Sequence, residues 1–365
     1  MKTLQDFNFK NKRVVVRCDF NVPINEKGDI LDDFRIRQVL PTIRYLIKNK
    51  AKVILISHLG RPEPRFEISS PRQISNSNVE NSELKKFSLK PIALRLEKLL
   101  EKKVIFLPDC IGEGIKEKIN KMEQQEVVLL ENLRFYKGEK NNNRNFAKQL
   151  AELGDIFIQE AFACCHRSHA SIVSLPKYLP CGAGFLLEKE INSLQKIIKN
   201  PLQPLVAIIG GIKLETKIKL VKKLSRICDF VLVNSVLSLE ILKKKIFLPE
   251  SVILAKDVNV SMEVAPFDID SKTIDIFSEK ISQAKTIFWN GPLGKIEKKE
   301  FQKGTKELAQ KVIESKAYSV VGGGETVQFL REIGLIDKFS HVSTGGGAMI
   351  DYLVGGKLAG IDALD

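Results

Sequence analysis

Short apolar runs alternate with amphipathic stretches along the whole chain, and this order constrains the fold more than any other feature. Runs such as Arg13–Cys18, Lys52–Ser57 and Leu205–Ile209 have the length and apolar character of strands. The stretch Arg35–Lys48 repeats apolar residues at helical spacing instead. Because this alternation is typical of parallel sheets with crossover helices, we predict an α/β fold built from doubly wound parallel sheets.

The 365 residues are enough for two domains, each with its own core. The amphipathic stretch Leu187–Asn200, closed by Pro201, reads as a helix between them. We therefore predict a first domain over residues 1–186 and a second unit over residues 187–345 that begins with this helix. The stretch Arg61–Ser88 is rich in Ser, Asn, Pro and charge, and it predicts a long surface loop.

Composition excludes several classes of protein. No apolar run approaches the roughly 18–20 residues that a membrane span needs, and the N-terminus lacks the apolar segment of a signal peptide. The six cysteines show neither CxxC pairs nor zinc-like spacing, which favours reduced thiols in a cytoplasmic protein. The net charge of +14 fits a phosphate-rich partner, but the sequence favours a lysine-rich composition spread over solvated faces as its explanation.

Polar residues follow the predicted strands of the first half, where a parallel sheet binds its ligands. Three of these residues are arginines: Arg61, Arg134 and Arg167. A fourth, Arg35, opens the first predicted helix. A single arginine at a strand end is usually a surface ion pair, but four beside His58 predict a site for a small, multiply anionic ligand. Of the other histidines, His166 favours a functional role, whereas His169 and His341 fit structural roles.

Glycine-rich turns follow the predicted strands of the second half: Gly210–Lys213, Asn290–Gly294, Gly322–Thr326 and Thr344–Gly347. Such turns let backbone N–H groups approach a phosphate, and the helix behind each turn adds the positive end of its dipole. Lys213 and Lys217 are one helical turn apart, and Glu325 suits Mg²⁺ beside phosphate oxygens. The common dinucleotide and P-loop fingerprints are absent. The residues alone therefore predict a nucleotide site, and a kinase acting on a small anionic substrate.

In this order the motifs resemble those of the phosphoglycerate kinase family. The resemblance runs from about Arg13 to Leu364, and its motifs are RCDFNVP, RIRQVLPTIRYL, SHLGRP, LLENLRFY, EAFACCHRSHAS, GGIKLETK, WNGPLG, GGGET and STGGGA. It implies reversible phosphoryl transfer between 1,3-bisphosphoglycerate and ADP, giving 3-phosphoglycerate and ATP with Mg²⁺ in glycolysis. It also implies a monomeric, hinge-bending cytoplasmic enzyme with a cleft between its domains, whose tail from about residue 346 returns to the first domain. Neither a nucleic-acid nor a membrane partner is expected.

The resemblance also implies roles for individual residues. Phosphoglycerate would be held by Asp19, Asn21, Arg35, His58, Arg61, Arg134 and Arg167. Arg35 and Lys213 would be catalytic, neutralising and holding the transferring group together with the backbone of Gly345 and Gly346. The nucleotide would be held by Lys217, Glu297, Gly322, Gly323, Gly324, Glu325 and Thr326, with Glu325 also at the metal.

The chain departs from the family pattern mainly around the base and ribose. Asn234, Ser235 and Val236 stand where the family has three glycines, and the segment before Trp289 is short. Other departures are Ala255–Asp257, Asp268–Ser271, Gln159–Glu160, Ile296, Glu325 in place of aspartate, and the insertion after SHLGRP. We expect the added side chains at residues 234–236 to weaken nucleotide binding, by about 1–3 kcal/mol, or to change the preferred base.

Three hypotheses follow. The first is a working kinase with an altered nucleotide pocket. The second is a catalytically impaired relative that binds phosphoglycerate or a protein partner, against which the presence of Arg35 and Lys213 argues. The third is a nucleic-acid-binding role driven by net charge, which the lack of a recognisable nucleic-acid module disfavours.

Overall fold

The computed structural model describes residues 1–63, 85–258, 261 and 266–365. The predicted surface loop Arg61–Ser88 lies largely outside the described residues. The chain divides into two compact units, of which the first comprises Met1–Lys189 with Lys357–Asp365 and the second Glu190–Gly356. Each unit contains one six-stranded parallel sheet with helices between its strands, which confirms the predicted α/β class.

The sheet of the first unit has the strand order β3-β4-β2-β1-β5-β6. Its strands are β1 (Arg13–Arg17), β2 (Lys52–Ile56), β3 (Val104–Leu107), β4 (Val127–Leu130), β5 (Ile156–Gln159) and β6 (Cys181–Ala183). In the central strand β1, Val14 pairs with Val53 on one side and with Ile156 on the other. All three residues are at most 6% exposed. Near-continuous apolar runs are what a parallel sheet covered on both faces requires.

The helices of the first unit carry an apolar face toward this sheet. They are α1 (Phe34–Lys48), α2 (Lys90–Leu100), α3 (Glu113–Asn120), α4 (Lys137–Lys140), α5 (Arg144–Ala151) and α6 (Phe185–Ile198), which continues into the second unit. In α1, the residues Ile36, Val39, Ile43 and Leu46 recur at three- and four-residue spacing. All four are fully buried in one core cluster with Val14 and Val16 of β1.

The sheet of the second unit has the strand order β12-β11-β10-β7-β8-β9. Its strands are β7 (Leu205–Ile209), β8 (Phe230–Val233), β9 (Val252–Leu254), β10 (Thr286–Asn290), β11 (Tyr318–Gly322) and β12 (His341–Val342). Its further helices are α7 (Leu214–Leu224), α8 (Ser235–Lys243), α9 (Ser271–Gln283), α10 (Lys303–Glu314), α11 (Gly324–Glu332) and α12 (Gly347–Gly355). The central strands β7 and β10 are buried along their whole length.

The last residues of the chain pack on the first unit, where they form the short helix α13 (Ala359–Asp362). The Gly360 N–H donates to the Cys165 carbonyl at 2.8 Å, and the N-terminal ammonium lies 2.9 Å from the Asp365 carboxylate. All six cysteines are free thiols. Among the described residues, no helix has both the length and the apolar character to cross a bilayer.

Several elements lack the sequence signals that predicted the others. Strand β6 is three residues long and contains Gly182, so no apolar run marks it. Helix α8 follows β8 without an intervening loop, because Asn234 ends the strand and caps the helix through its side chain. The predicted helix Phe301–Glu314 begins later, at Lys303, since residues 299–301 form a separate 3-10 turn.

Candidate active site

The polar residues of the first unit lie beyond the carboxyl ends of β1, β2, β4 and β5. These four strands are adjacent in the sheet, so the loops that follow them meet at one edge. The predicted residues on these loops are Asp19, Asn21, His58, Arg61, Arg134 and Arg167, and Arg35 lies in the first turn of α1.

Asp19 is the centre of the polar contacts at this edge. It is 6% exposed, and its carboxylate accepts a hydrogen bond from Nη1 of Arg35. Asn21 lies two residues further on, and its Oδ1 accepts the Gly60 N–H at 2.7 Å. The loops after β1 and β2 are therefore bound to each other beside the Asp19–Arg35 pair.

His58 is only 3% exposed and is surrounded by positive charge. Burial lowers its pKa well below the usual value, and the guanidinium groups of Arg17, Arg134, Arg167 and Arg35 lower it further. His58 is therefore neutral at pH 7. Its ring acts in this site as a hydrogen-bonding group rather than as a fixed cation.

Two of the predicted arginines repel each other across the same edge. Arg134 is 3% exposed and donates from Nη1 to the Gly60 carbonyl at 2.6 Å. Burial lowers its pKa to about 10, with a further lowering by the charge of Arg167. Its Nε has no hydrogen-bond partner among the described residues. A buried guanidinium that has one unpartnered N–H group and a second cation nearby is stabilised by an anionic ligand.

The structure does not place all predicted residues alike. Asp19, Arg35, His58, Arg134 and Arg167 form one electrostatic cluster, whereas Arg61 is exposed on the loop after β2.

A metal ion does not fit this cluster. Ligand atoms of Asp19, His58 and Cys164 lie within 4.8 Å of one another, which meets the simplest geometric requirement. However, the same arginines that lower the pKa of His58 make the site strongly positive. A divalent cation would enter against that repulsion, so the site favours anions.

Backbone dominates the corresponding edge of the second unit, beyond β7, β10, β11 and β12. The loops after β7 and β10 approach so closely that only glycine fits at Gly210. A Cβ atom there would lie 2.7 Å from the Gly291 carbonyl oxygen and closer still to that of Pro292. Gly211 and Gly291 both have positive φ values, of 97° and 98°. These glycines therefore allow two adjacent backbone turns to form one surface.

Two lysines accompany these turns. Lys213 is the exposed N-cap residue of α7, and Lys217 lies one turn further along the helix. The Lys217 ammonium donates to the Asn290 side-chain oxygen and, at 3.3 Å, to the Asn290 carbonyl. Burial lowers the pKa of Lys217 to about 8, against the opposing effect of the Glu325 carboxylate. Lys217 is thus a partly desolvated cation beside the glycine turns.

The triple-glycine turn after β11 leads directly into α11. Gly322 ends the strand, Gly323 caps the helix with a φ of 104°, and Gly324 and Glu325 open its first turn. Thr326 is fully buried, and among the described residues no group hydrogen-bonds its hydroxyl. An exposed carboxylate beside an unpartnered hydroxyl at a helix N-terminus fits Mg²⁺ bound together with phosphate oxygens.

The second triple-glycine turn is fixed by a buried carboxylate. Glu190 of α6 accepts the Thr344 N–H at 2.6 Å and the Thr344 hydroxyl at 2.8 Å. His341 contacts the same carboxylate at 2.9 Å, so this histidine has a structural partner. Gly345 is buried, and Gly346 has a φ of 50° before α12 begins.

Side chains fill the position where the family pattern has three glycines. Asn234 caps α8 by accepting the Leu237 N–H, and its amide donates to the carbonyls of Gly211 and Leu293 at 3.2 and 3.5 Å. The Ser235 hydroxyl donates to the Asp257 carboxylate at 2.8 Å. The loops after β7, β8 and β10 are therefore bound together through Asn234. Glu297 is exposed on the loop after β10.

Three residues that hold these sites in place received no individual role from the sequence. Arg17 and Glu139 are fully buried behind His58, and Asn290 bridges Lys217 and the Gly322 carbonyl. For Asn290 the WNGPLG motif itself was a usable signal. For Arg17 and Glu139 the signal was weaker: a charged residue inside an apolar strand, and an acidic residue in a short helical turn.

Comparison with known proteins points to one family. The sequence model described as phosphoglycerate kinase matches residues 4–247 and 235–356. The chain is 39% identical to a phosphoglycerate kinase of Aquifex aeolicus over 407 aligned residues, covering 100% of this chain and 98% of that protein. It is also 39% identical to one of Finegoldia magna, covering 100% and 99% of the two chains.

Solved structures give the same result. The structure of phosphoglycerate kinase from Coxiella burnetii is similar with a TM-score of 0.81 and 34% identity, covering 100% of this chain and 98% of that one. The enzyme from Pyrococcus horikoshii has a TM-score of 0.84 and 30% identity, with the same coverage.

Proposed function

Because this chain belongs to the phosphoglycerate kinase family, we propose that it transfers a phosphoryl group reversibly between 1,3-bisphosphoglycerate and ADP. The products are 3-phosphoglycerate and ATP, and the pathway is glycolysis. The observation that carries the proposal is the pairing of two unlike sites. The first unit holds buried Arg134 and half-buried Arg35 and Arg167 around a neutral histidine, and the second holds glycine turns with two lysines.

The first unit binds the phosphoglycerate in this proposal. Arg134, Arg167 and Arg61 neutralise the charges of the substrate, and His58 and Asn21 add neutral hydrogen bonds. Asp19 holds Arg35 in place through their ion pair. Arg35 can then stabilise the charge that develops on the transferring group, and preorganised charge of this kind is the largest single term in many enzymes.

The second unit binds the nucleotide. The backbone N–H groups of Gly322, Gly323 and Gly324 and the side chains of Glu325 and Thr326 bind its phosphates in this proposal, which the position of these residues at the start of α11 supports. Lys217 pairs with the phosphates once it leaves Asn290, and Glu297 binds the ribose. Lys213 holds the transferring phosphoryl group together with the Gly345 and Gly346 backbone.

Mg²⁺, held by Glu325 and nucleotide oxygens, would supply additional charge neutralisation on the phosphates. The chain's own residues position both substrates, and no covalent enzyme intermediate is required. We place this activity in the cytoplasm and in a monomer, with the first unit as the phosphoglycerate-binding domain and the second as the nucleotide-binding domain.

The test is a coupled assay of ATP-dependent 1,3-bisphosphoglycerate formation from 3-phosphoglycerate, with ATP and GTP compared. Turnover is expected, and Lys213→Ala is expected to abolish it. Lys222→Ala is the matched control, because Lys222 is an exposed lysine in the last turn of the same helix. Folded protein that binds 3-phosphoglycerate without any turnover would instead support the catalytically impaired alternative.

A further inference from the structure

Arg17 is a charged residue whose side chain has no exposed surface. It ends strand β1 and is 0% exposed, so it lies behind the site rather than in it. Burying a guanidinium is costly unless its donors are satisfied. The acceptors of the Arg17 N–H groups therefore indicate what an arginine does at this position.

Each nitrogen of the Arg17 guanidinium has a polar neighbour. Nε donates to the Ser171 hydroxyl at 2.8 Å, and Nη1 donates to the Cys18 carbonyl. Nη2 lies 3.9 Å from the Glu139 carboxylate and 3.3 Å from Nδ1 of His58. Glu139 is itself fully buried, and it accepts the Ser171 hydroxyl at 2.7 Å and the Ser171 N–H at 3.0 Å.

The direction of these hydrogen bonds is fixed by chemistry. A guanidinium carries only donors, so Nδ1 of His58 must accept from Nη2. A neutral imidazole has one donor and one acceptor nitrogen, and the proton is therefore on Nε2. The alternative tautomer would place a proton on Nδ1, which lies 3.8 Å from the Asp19 carboxylate. Asp19 favours that tautomer, and Arg17 opposes it.

We propose that Arg17 is a positioning residue that holds His58 in the Nε2–H tautomer, so that the imidazole presents a donor to an anionic ligand. With the proton on Nδ1 instead, Nε2 would present a lone pair and repel a carboxylate or phosphate oxygen. Glu139 and Ser171 hold Arg17 in the geometry that this choice requires. The consequence for substrate binding rests on the proposed function, whereas the tautomer itself does not.

The environment of His58 keeps the ring neutral, so that the tautomer matters. The groups facing it are Arg17 at the end of β1, Arg35 of α1, Arg134 after β4 and Arg167 after β5, with Asp19 and Cys164 beside it. Four of these groups are cations, and they disfavour an imidazolium at any pH near 7.

The decisive measurement is ¹⁵N NMR of the full chain with labelled histidine. The sequence contains four histidines, and Histidine 58 is assigned by the signal lost in His58→Gln. We expect a pyridine-type Nδ1 and a pyrrole-type Nε2 that persist between about pH 6 and 8. A pyrrole-type Nδ1, or an imidazolium at pH 7, would overturn the proposal in the unmodified protein.

The double variant Arg17→Met with Glu139→Gln removes both buried charges together, so that neither is left unpaired. We expect His58 to shift toward the Nδ1–H tautomer and the KM for 3-phosphoglycerate to rise about tenfold, with a smaller change in kcat. Arg17→Lys keeps a charged donor and is expected to retain the tautomer. An unchanged His58 spectrum in the folded double variant would reduce Arg17 to a structural role.

Arg13→Met is the matched control, because Arg13 starts the same strand and pairs with Asp155 away from His58. It is expected to leave the His58 spectrum unchanged. If the proposed function were wrong, the same measurements would give a different result from a failure of the tautomer proposal. In that case the tautomer would be as expected in the unmodified protein, yet 3-phosphoglycerate would neither shift the His58 signals nor turn over.

Discussion

The two candidate binding sites of this molecule differ in whether side chains or backbone groups form most of the site. The site of the first unit is built mainly on buried side chains, since Asp19, His58 and Arg134 are at most 6% exposed and Arg17 behind them is fully buried. The site of the second unit consists of backbone turns at helix N-termini, with the exposed side chains of Lys213 and Glu325 added. Buried side chains need many supporting contacts, whereas backbone turns need glycine and little else.

This difference determines which substitutions matter in each unit. In the first, desolvated charges interact strongly with one another and with a ligand, so removal of one cation has a large effect on binding. In the second, space is the limiting factor, because an added Cβ collides with backbone. Substitutions in the first unit should therefore act through lost charge, and substitutions in the second unit through lost space.

Arg134→Met is expected to weaken 3-phosphoglycerate binding by about two orders of magnitude. Loss of one member of a buried charged contact typically costs ~2–5 kcal/mol. Arg61→Met, which removes an exposed arginine of the same proposed set, is expected to cost about tenfold or less, because solvent screens the charge. Calorimetric titration with 3-phosphoglycerate measures both. Equal losses in the two variants would contradict the importance of burial.

The pH dependence of stability should reveal a buried carboxyl in the first unit. Glu160 is fully buried and accepts the Leu187 N–H at 3.0 Å and the Leu186 N–H at 3.3 Å, at the start of α6. Burial raises the pKa of Glu160 from 4.5 to about 7. Between these two values the unfolded chain releases the proton and the folded chain retains it, so stability falls as the pH rises.

Glu160→Gln is therefore expected to become more stable relative to the unmodified protein between about pH 4.5 and 7, by about 3 kcal/mol in total. Glu113→Gln is the control, because this carboxylate lies at the start of helix α3 but is exposed. Thermal unfolding across this pH range measures the difference. A constant difference between variant and unmodified protein would show that Glu160 titrates as it does in the unfolded chain.

The contrast between the units also explains what the sequence could predict. Strand-end loops meet at one edge of a parallel sheet, so Asp19, His58, Arg134 and Arg167 could be grouped from their positions alone. Glycine turns are equally visible, since Gly210 and Gly323 are needed for space and for backbone conformation. The α/β class followed from the alternation of strands and helices for the same local reason.

The sequence could not predict contacts and elements that depend on residues far apart in the chain. The Ser171 hydroxyl that accepts from Arg17 lies 154 residues away, and no local pattern connects the two. Strand β6 was missed because it exists through pairing with β5 and not through its own apolar character. Helix α8 was missed because its buried residues, at positions 235, 237, 238, 239 and 241, do not follow the spacing of a single apolar helix face.

Gly210→Ala tests the spatial limit in the second unit. The added methyl group would meet the carbonyl oxygens of Gly291 and Pro292, so that the loops after β7 and β10 must separate. We expect a loss of about 1–3 kcal/mol in stability, with weaker nucleotide binding and unchanged 3-phosphoglycerate binding. Gly355→Ala is the control, because a Cβ atom there meets nothing within 4 Å. An unaltered nucleotide affinity in Gly210→Ala would show that the close approach of the loops after β7 and β10 is not needed for nucleotide binding.

Asn234→Gly has the smallest expected effect on stability and is the sharpest test of the altered pocket. It removes a cap and the hydrogen bonds to the Gly211 and Leu293 carbonyls, at a cost of about 1 kcal/mol. If the Asn234 side chain narrows the base pocket, nucleotide affinity should nevertheless rise, by up to about tenfold. Asn143→Gly removes an equivalent asparagine cap in the first unit and should lower stability without this gain. A fall in nucleotide affinity for Asn234→Gly would mean that Asn234 organises the pocket, because the tie between the loops would then outweigh the space that its side chain occupies.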